Sequence, residues 1–219
     1  MKRLIPFALL LLVVPSLALA TNPKDEIRRL NRADIALAKH AALRKTDLAT
    51  GWRLTHSGPP PRTSDAPCTA ADPDMSAFVI TGEHETDFTL RPSGAEVDSN
   101  IQVFRNVKDA SRDFKAGATP WFLTCLKRTL VKTFRQSHLQ GKVTTARMTT
   151  TPRIGAQTAY YRLVATITPG NGMPKVRMYT DLVAIRKGRT QAALFMSSLA
   201  RIPGQLALAR AVARRMPSR

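Results

Sequence analysis

Apolar residues recur along this chain at two spacings, one helical and one strand-like. Asn22-Pro23-Lys24-Asp25 opens a helix, with a capping side chain followed by a proline suited to the first helical position. Leu30, Ala33, Leu37 and Ala41 then fall on one stripe, widened by Ala38 and Ala42, which predicts a helix reaching about Thr46, ahead of Gly51. Trp52 and Leu54 alternate with polar residues as a short strand. Gly58 to Pro67 contains Pro59-Pro60-Pro61 and reads as an extended loop leading to Cys68. Phe78-Val79-Ile80 starts a strand that Thr86 to Leu90 continues, and Val97 to Phe104 predicts another. Asn106-Val107-Lys108-Asp109 opens a second helix, with Val107, Ala110 and Phe114 on one face. Gly117 weakens that helix and Thr119-Pro120 restarts it. Trp121, Phe122, Cys125, Leu126, Leu130 and Phe134 then line a buried face to about His138.

The period shortens after Gly141. Val143 to Thr150 alternates weakly. Thr158 to Thr168 places Tyr161, Leu163, Ala165 and Ile167 on one face. Val176 to Arg186 repeats the pattern through Val176, Met178, Thr180, Leu182 and Ala184. Lys187-Gly188 reverses the chain and Thr190 to Ser198 returns it. Pro203 opens a last helix with Leu206, Ala209, Val212 or Ala213, and Met216 inward. The order predicts an α+β fold: an antiparallel β-sheet packed by an N-terminal helix, a long central helix and a C-terminal helix.

The first twenty residues differ from the rest. Lys2 and Arg3 precede an apolar run from Leu4 to Val14 that only Pro6 interrupts. Pro15 and Ser16 break it, and Ala18-Leu19-Ala20 supplies a cleavage signal before Thr21. The alternative is a retained anchor, but the whole stretch from Leu4 to Ala20 reaches only the lower limit of the roughly 17–25 residues that span a bilayer. The expected organisation is a signal peptide over 1–20 and a single secreted α+β domain over 21–219, outside the cytoplasm and associated with the cell envelope.

Export changes how the remaining composition reads. The chain has 34 Lys and Arg against 15 Asp and Glu, a net charge of +19, and the signal holds only two of those cations. Such a charge predicts affinity for polyanions: acidic wall polymers, anionic lipid surfaces touched peripherally, or nucleic acid; a small molecule is a further candidate ligand for a binding module. An evenly solvated basic surface is the plainer account. Nucleic acid is not expected, because the chain is exported and aromatic residues are few. Arg128, Lys132 and Arg135 fall along one face of the central helix, away from its apolar face, as a candidate anion-contact stripe. Cys68 and Cys125 are the only cysteines. In an oxidising compartment they are expected to pair, which would contribute about 4 kcal/mol at most by restricting the unfolded chain.

A search for chemistry returns little. His40, His56, His84 and His138 are scattered, and strand alternation places His84 opposite Glu83 and Glu85, so no metal is expected. Asp72-Pro73-Asp74 lacks the further oxygens of a calcium loop. There is no nucleophile elbow, phosphate loop or dinucleotide fingerprint. Asp181 interrupts an apolar strand, and a cross-strand ion pair with Arg162 or Arg177 accounts for it better than catalysis does. No catalytic residue, metal or cofactor is assigned, and a non-enzymatic role is expected ahead of an unrecognised hydrolase.

The layout resembles secreted actinobacterial domains, nearest the extracellular sensor domain of PknH-type Ser/Thr kinases and the wider PsbP-like fold. The resemblance is carried by the N-terminal helix running through Asp47-Leu48 to Gly51-Trp52, by Cys68 in the next loop with Cys125 on the long helix, and by the hairpin Asp181 to Arg189 with its return strand and final helix. It implies a ligand-binding or sensing module with a cleft over its sheet, and it transfers no catalytic residue. The kinase sensors have more cysteines, and this chain has no kinase domain.

Overall fold

A computed structural model describes residues 26–61, 74–150, 152–168 and 174–218. Within them an eight-stranded, largely antiparallel sheet is flanked by four α-helices, an α+β architecture. The strands are β1 (Ile27–Arg28), β2 (Trp52–Gly58), β3 (Val79–Leu90), β4 (Ala95–Phe104), β5 (Gln140–Thr149), β6 (Gln157–Thr168), β7 (Val176–Lys187) and β8 (Thr190–Ser198). The helices are α1 (Arg32–Ala41), α2 (Val107–Gly117), α3 (Pro120–Gln136) and α4 (Gln205–Arg215), with a 3-10 turn at Lys45–Asp47. Strand order is β1-β3-β4-β8-β7-β6-β5, and β2 joins the same free edge of β3 that β1 uses. The β1–β3 pair is parallel, so the sheet is mixed rather than wholly antiparallel.

The first helix starts later than its apolar stripe suggested. The Ile27 and Arg29 amides donate to Phe78 and Ile80 carbonyls at 2.8 Å, which holds this segment extended against β3. Asn31 is the real cap: its side chain accepts from the Asp34 amide at 3.0 Å. Leu30 and Ala33 are therefore exposed, while Ala38 and Ala41 are fully buried. Residues 22–25, and with them the Asn22-Pro23 start, lie outside the described residues, as do the 1–20 signal and Asp72-Pro73. The two later starts are where the side chains placed them. Asn106 accepts from the Asp109 amide at 2.8 Å, and Thr119 caps α3 with Pro120 at its first position. Val107 is nonetheless exposed, because only Ala110 and Phe114 of its face reach the core.

Alternation divides the sheet into two buried faces. On the first, Phe88, Val97, Ile101, Val183, Ile185 and Leu194 pack under α1 and α4. On the second, Tyr161, Leu163, Ile167, Met178 and Leu182 pack with Phe114 of α2 and Leu126, Leu130 and Phe134 of α3. β7 thus contributes to both faces, and Val183 and Ile185 are as buried as the alternating set Met178 and Leu182.

Close approach sets both helix positions. A Cβ at Gly82 of β3 would overlap the backbone of Asp34 in the first turn of α1, and one at Gly141 of β5 would overlap the Phe134 ring of α3. Asp34 is held from the opposite side by a two-pronged ion pair with Arg189, at 2.5 and 2.9 Å. Gly82→Ala is expected to lower unfolding stability by about 1–3 kcal/mol in a denaturant titration, because the clash is with backbone. At Gly117, where a Cβ meets nothing within 4 Å, the same change is expected to stabilise by about 0.5 kcal/mol.

Candidate functional site

A recess lies on the first sheet face, between α1 and the β2–β3 edge. It is an open groove of about 520 Å³. Its floor is apolar: Ala36, Ala42, Leu43, Leu54 and Phe88. Its rim is basic, with Lys39, His40, Arg44 and Lys45. The pairings Leu54–Phe88 and Ser57–Thr86 put all four of these β2 and β3 side chains on the groove side. The bulge between Leu54 and His56 lets Leu54 and Ser57 share that face. Leu54 is 52% exposed, an apolar residue left facing water on the groove wall.

The rim is anchored by backbone and ion-pair contacts. The Leu43 amide donates to Ser99 Oγ at 3.0 Å, and Thr86 Oγ1 donates to the Leu43 carbonyl at 3.1 Å. Arg215 of α4 donates to the Ala42 carbonyl at 2.9 Å and pairs with Asp47 at 2.7 Å. Arg44 in turn donates to the His40 carbonyl at 3.0 Å. His84 closes the inner end, buried, with its Nε2 3.2 Å from Ser57 Oγ. Burial, then the charges of Lys39 and His56, push the His84 imidazole below its ordinary pKa. The groove therefore presents a neutral imidazole and a hydroxyl at its base and cations at its mouth. It can hold an apolar body and an anionic end.

The other residues singled out in the sequence fall elsewhere. Arg128, Lys132 and Arg135 are exposed on the outer side of α3, where they line a shallow recess with Lys127 and Val131. Cys125 lies on the same helix, half-buried; no cysteine among the described residues is free, and Cys68 lies outside them. Glu83 and Glu85 point away from His84, to the second sheet face, as alternation requires. Among the described residues no group of three or more His, Cys, Asp or Glu is placed to hold a metal ion, and no helix is long and apolar enough to cross a membrane. Asp181 pairs with Arg162 at 2.7 Å and accepts from Tyr160 Oη at 2.6 Å and from Gln205 at the start of α4. That cluster locks α4 to β6 and β7.

A feature that motif reading passed over lies on the second face of β3 and β4. Glu85 stands opposite Asn100, Asp87 opposite Asp98, and Glu96 opposite Thr89. Four carboxylates thus share one strip. Burial, then the neighbouring Asp87 charge, push the Glu96 carboxyl up to about 7 and the Asp98 carboxyl to about 8. Glu85 and Asp87 shift the same way, again chiefly through burial.

Two titrations check these fields. His84 is expected to titrate below the ordinary histidine range by proton NMR, and Lys39→Gln should move it upward. Glu96 and Asp98 bind their protons more tightly folded than unfolded. Their contribution is full below the ordinary carboxylate range and is lost as pH rises through about 7 and about 8. Asp34 has the opposite sign, since Arg189 holds it well below the usual range, and its contribution is lost only in strong acid. The Tm is therefore expected to be higher at pH 5.5 than at pH 8.5, and Asp98→Asn should remove much of that difference. No protein-family model and no curated protein matches this chain, so the groove's geometry carries the functional argument.

Proposed function

We propose that this protein is a non-enzymatic, exported ligand-binding module of the cell envelope, and that the groove between α1 and the β2–β3 edge takes an anionic amphiphile. The observation that carries this reading is the polarity of the groove. An apolar lining of Leu43, Leu54 and Phe88 sits beside a rim of Lys39, His40, Arg44 and Lys45. Apolar contact supplies most of the affinity of such sites, and a few charges fix orientation. The walls are held by contacts from Ser99, Thr86 and Arg215, so little ordering is needed on binding.

The rest of the proposal follows the sequence. Residues 1–20 direct export and are removed, residues 21–219 form one secreted domain, and Cys68 pairs with Cys125. The sensor-like role rests on the resemblance to the PknH-type extracellular domains, which share a cleft over the sheet. A second reading, a basic protein adhering to anionic wall polymers or lipid surfaces, is favoured by the exposure of Arg128, Lys132 and Arg135 together on α3.

Calorimetric titration of the secreted protein with dodecyl phosphate, below its micelle concentration, separates the two. Saturable binding to one site is expected, weakened at least tenfold by Lys39→Glu or Leu54→Asp. Inorganic phosphate should bind far more weakly. No saturable binding, or binding that both variants leave unchanged, overturns the groove assignment. Retention on purified walls that falls with salt, and is lost only when Arg128, Lys132 and Arg135 are neutralised together, selects the adhesive reading instead.

A further inference from the structure

The carboxylate strip on the second sheet face belongs to neither reading. Its position is odd for this chain, which has more than twice as many basic as acidic residues. Four other buried or half-buried acids have an arginine: Asp34 has Arg189, Asp47 has Arg215, Asp181 has Arg162, and Glu83 has Arg28, whereas the buried Asp113 is held by Gln191. Among the described residues no ion pair reaches Glu85, Asp87, Glu96 or Asp98. Arg53 stands opposite Thr89 at the strip's margin, exposed, and forms no ion pair with them. His56 faces Asp87 across β2, with its Nε2 3.2 Å from the Pro59 carbonyl.

Polar capacity is left unused at Glu85, and again at Thr180, two strands from β4. Glu85 is only 4% exposed; its Oε2 accepts from Asn100 at 3.0 Å, but its Oε1 is buried with no hydrogen-bond partner. Thr180 is equally buried, its hydroxyl also has no partner, and the register carries it through Ser197 to Glu96 on the same face. A buried acceptor without a donor costs about 1–3 kcal/mol, and more when it is charged. Glutamine or asparagine at these positions would avoid the repulsion with little change of shape.

We infer that this strip is a binding slot for a linear aliphatic polyamine, with Glu85, Asp87, Asp98 and Glu96 as its anionic lining. The spacing selects the class. Glu96, Asp98 and Asp87 are half-buried and Glu85 is buried, so the row runs from partly exposed carboxyls to a covered one. Carboxylates two residues apart on a strand are separated by about 7 Å, and directly opposed pairs by about 5 Å. Ammonium groups a few methylenes apart match that ladder. A compact divalent ion does not, because no three carboxylates converge on one point among the described residues. The methylenes between the nitrogens would lie against Phe195, which stands beside Asp98 in the same row.

The slot lies across the sheet from the groove, and its test is independent of the groove's ligand. Spermidine is titrated calorimetrically into the full secreted chain at pH 8, at constant ionic strength. One saturable site is expected, raising the Tm with the logarithm of spermidine concentration above its Kd. Glu85→Gln with Asp98→Asn should weaken binding at least tenfold while the variant melts at or above the wild-type temperature, which separates loss of the site from loss of the fold. Asp98→Asn alone should weaken it less. No saturable heat, or binding indifferent to these substitutions, overturns the proposal. So does displacement of spermidine by an equal concentration of magnesium, which would assign the strip to a metal, and so does tighter binding of trilysine than of spermidine, which would assign it to a basic peptide.

Discussion

The Asp34–Arg189 ion pair is the contact on which the groove face depends. It joins the first turn of α1 to the β7–β8 turn, across 155 positions of sequence. Arg189 also donates to the Phe104 carbonyl at 3.1 Å, so one guanidinium ties the helix, β4 and the hairpin together. Gly82 makes the geometry possible by letting the α1 backbone settle on β3. A planar fork suits this task better than an ammonium would, since two parallel bonds fix orientation as well as distance. Arg215 with Asp47, and Arg162 with Asp181, repeat the device at the far end of α1 and at the start of α4. The first two pairs hold the elements that wall the groove, and the third seats α4 on β6 and β7.

The second constraint is a sheet buried on both sides at its centre and divided in polarity at one edge. β6, β7 and β8 carry core residues on both faces, as with Tyr161 on one and Val183 on the other. β3 and β4 do so on the first face, and on the second only at the end where Ile80 and Phe104 meet Ala110 of α2. On the second they present Glu85, Asp87, Glu96 and Asp98 in place of an apolar set. Net charge therefore misdescribes the local fields. A chain of +19 carries a cation-rimmed groove on one side of its sheet and a strip of four carboxyls on the other.

Much of the architecture was legible in the sequence, because alternation and capping are local. Tyr161, Leu163, Ala165 and Ile167 are buried on one face as their spacing indicated, and Asn106 and Thr119 cap the helices that follow them. The start of α1 was harder. Leu30 and Ala33 continue the helical stripe backwards, and the competing hydrogen bonds come from β3, some fifty residues away, where no local pattern records them. The Asn31-to-Asp34 capping spacing was available as a signal, but the more complete Asn22-Pro23 start masked it. Burial of Val183 and Ile185 required knowing that helices cover both faces. The groove was not legible at all: Lys39, Leu54 and His84 meet only through the β2–β3 register and the helix above it.

The acidic strip shows the same limit from the other side. Alternation alone separates His84 from Glu83 and Glu85, and the separation holds in the fold. What alternation could not supply is the partner strand. Only the β3–β4 register brings Asp98 opposite Asp87 and sets Glu96 beside them, turning four scattered acids into one anionic surface. Like charges so placed resist folding, and an arginine-rich chain has ample means to neutralise them, as it does at Asp34, Asp47 and Asp181. Repulsion tolerated at a covered position, with a buried carboxylate oxygen left unbonded at Glu85, is the pattern of charge held ready for a cation that the chain does not itself provide.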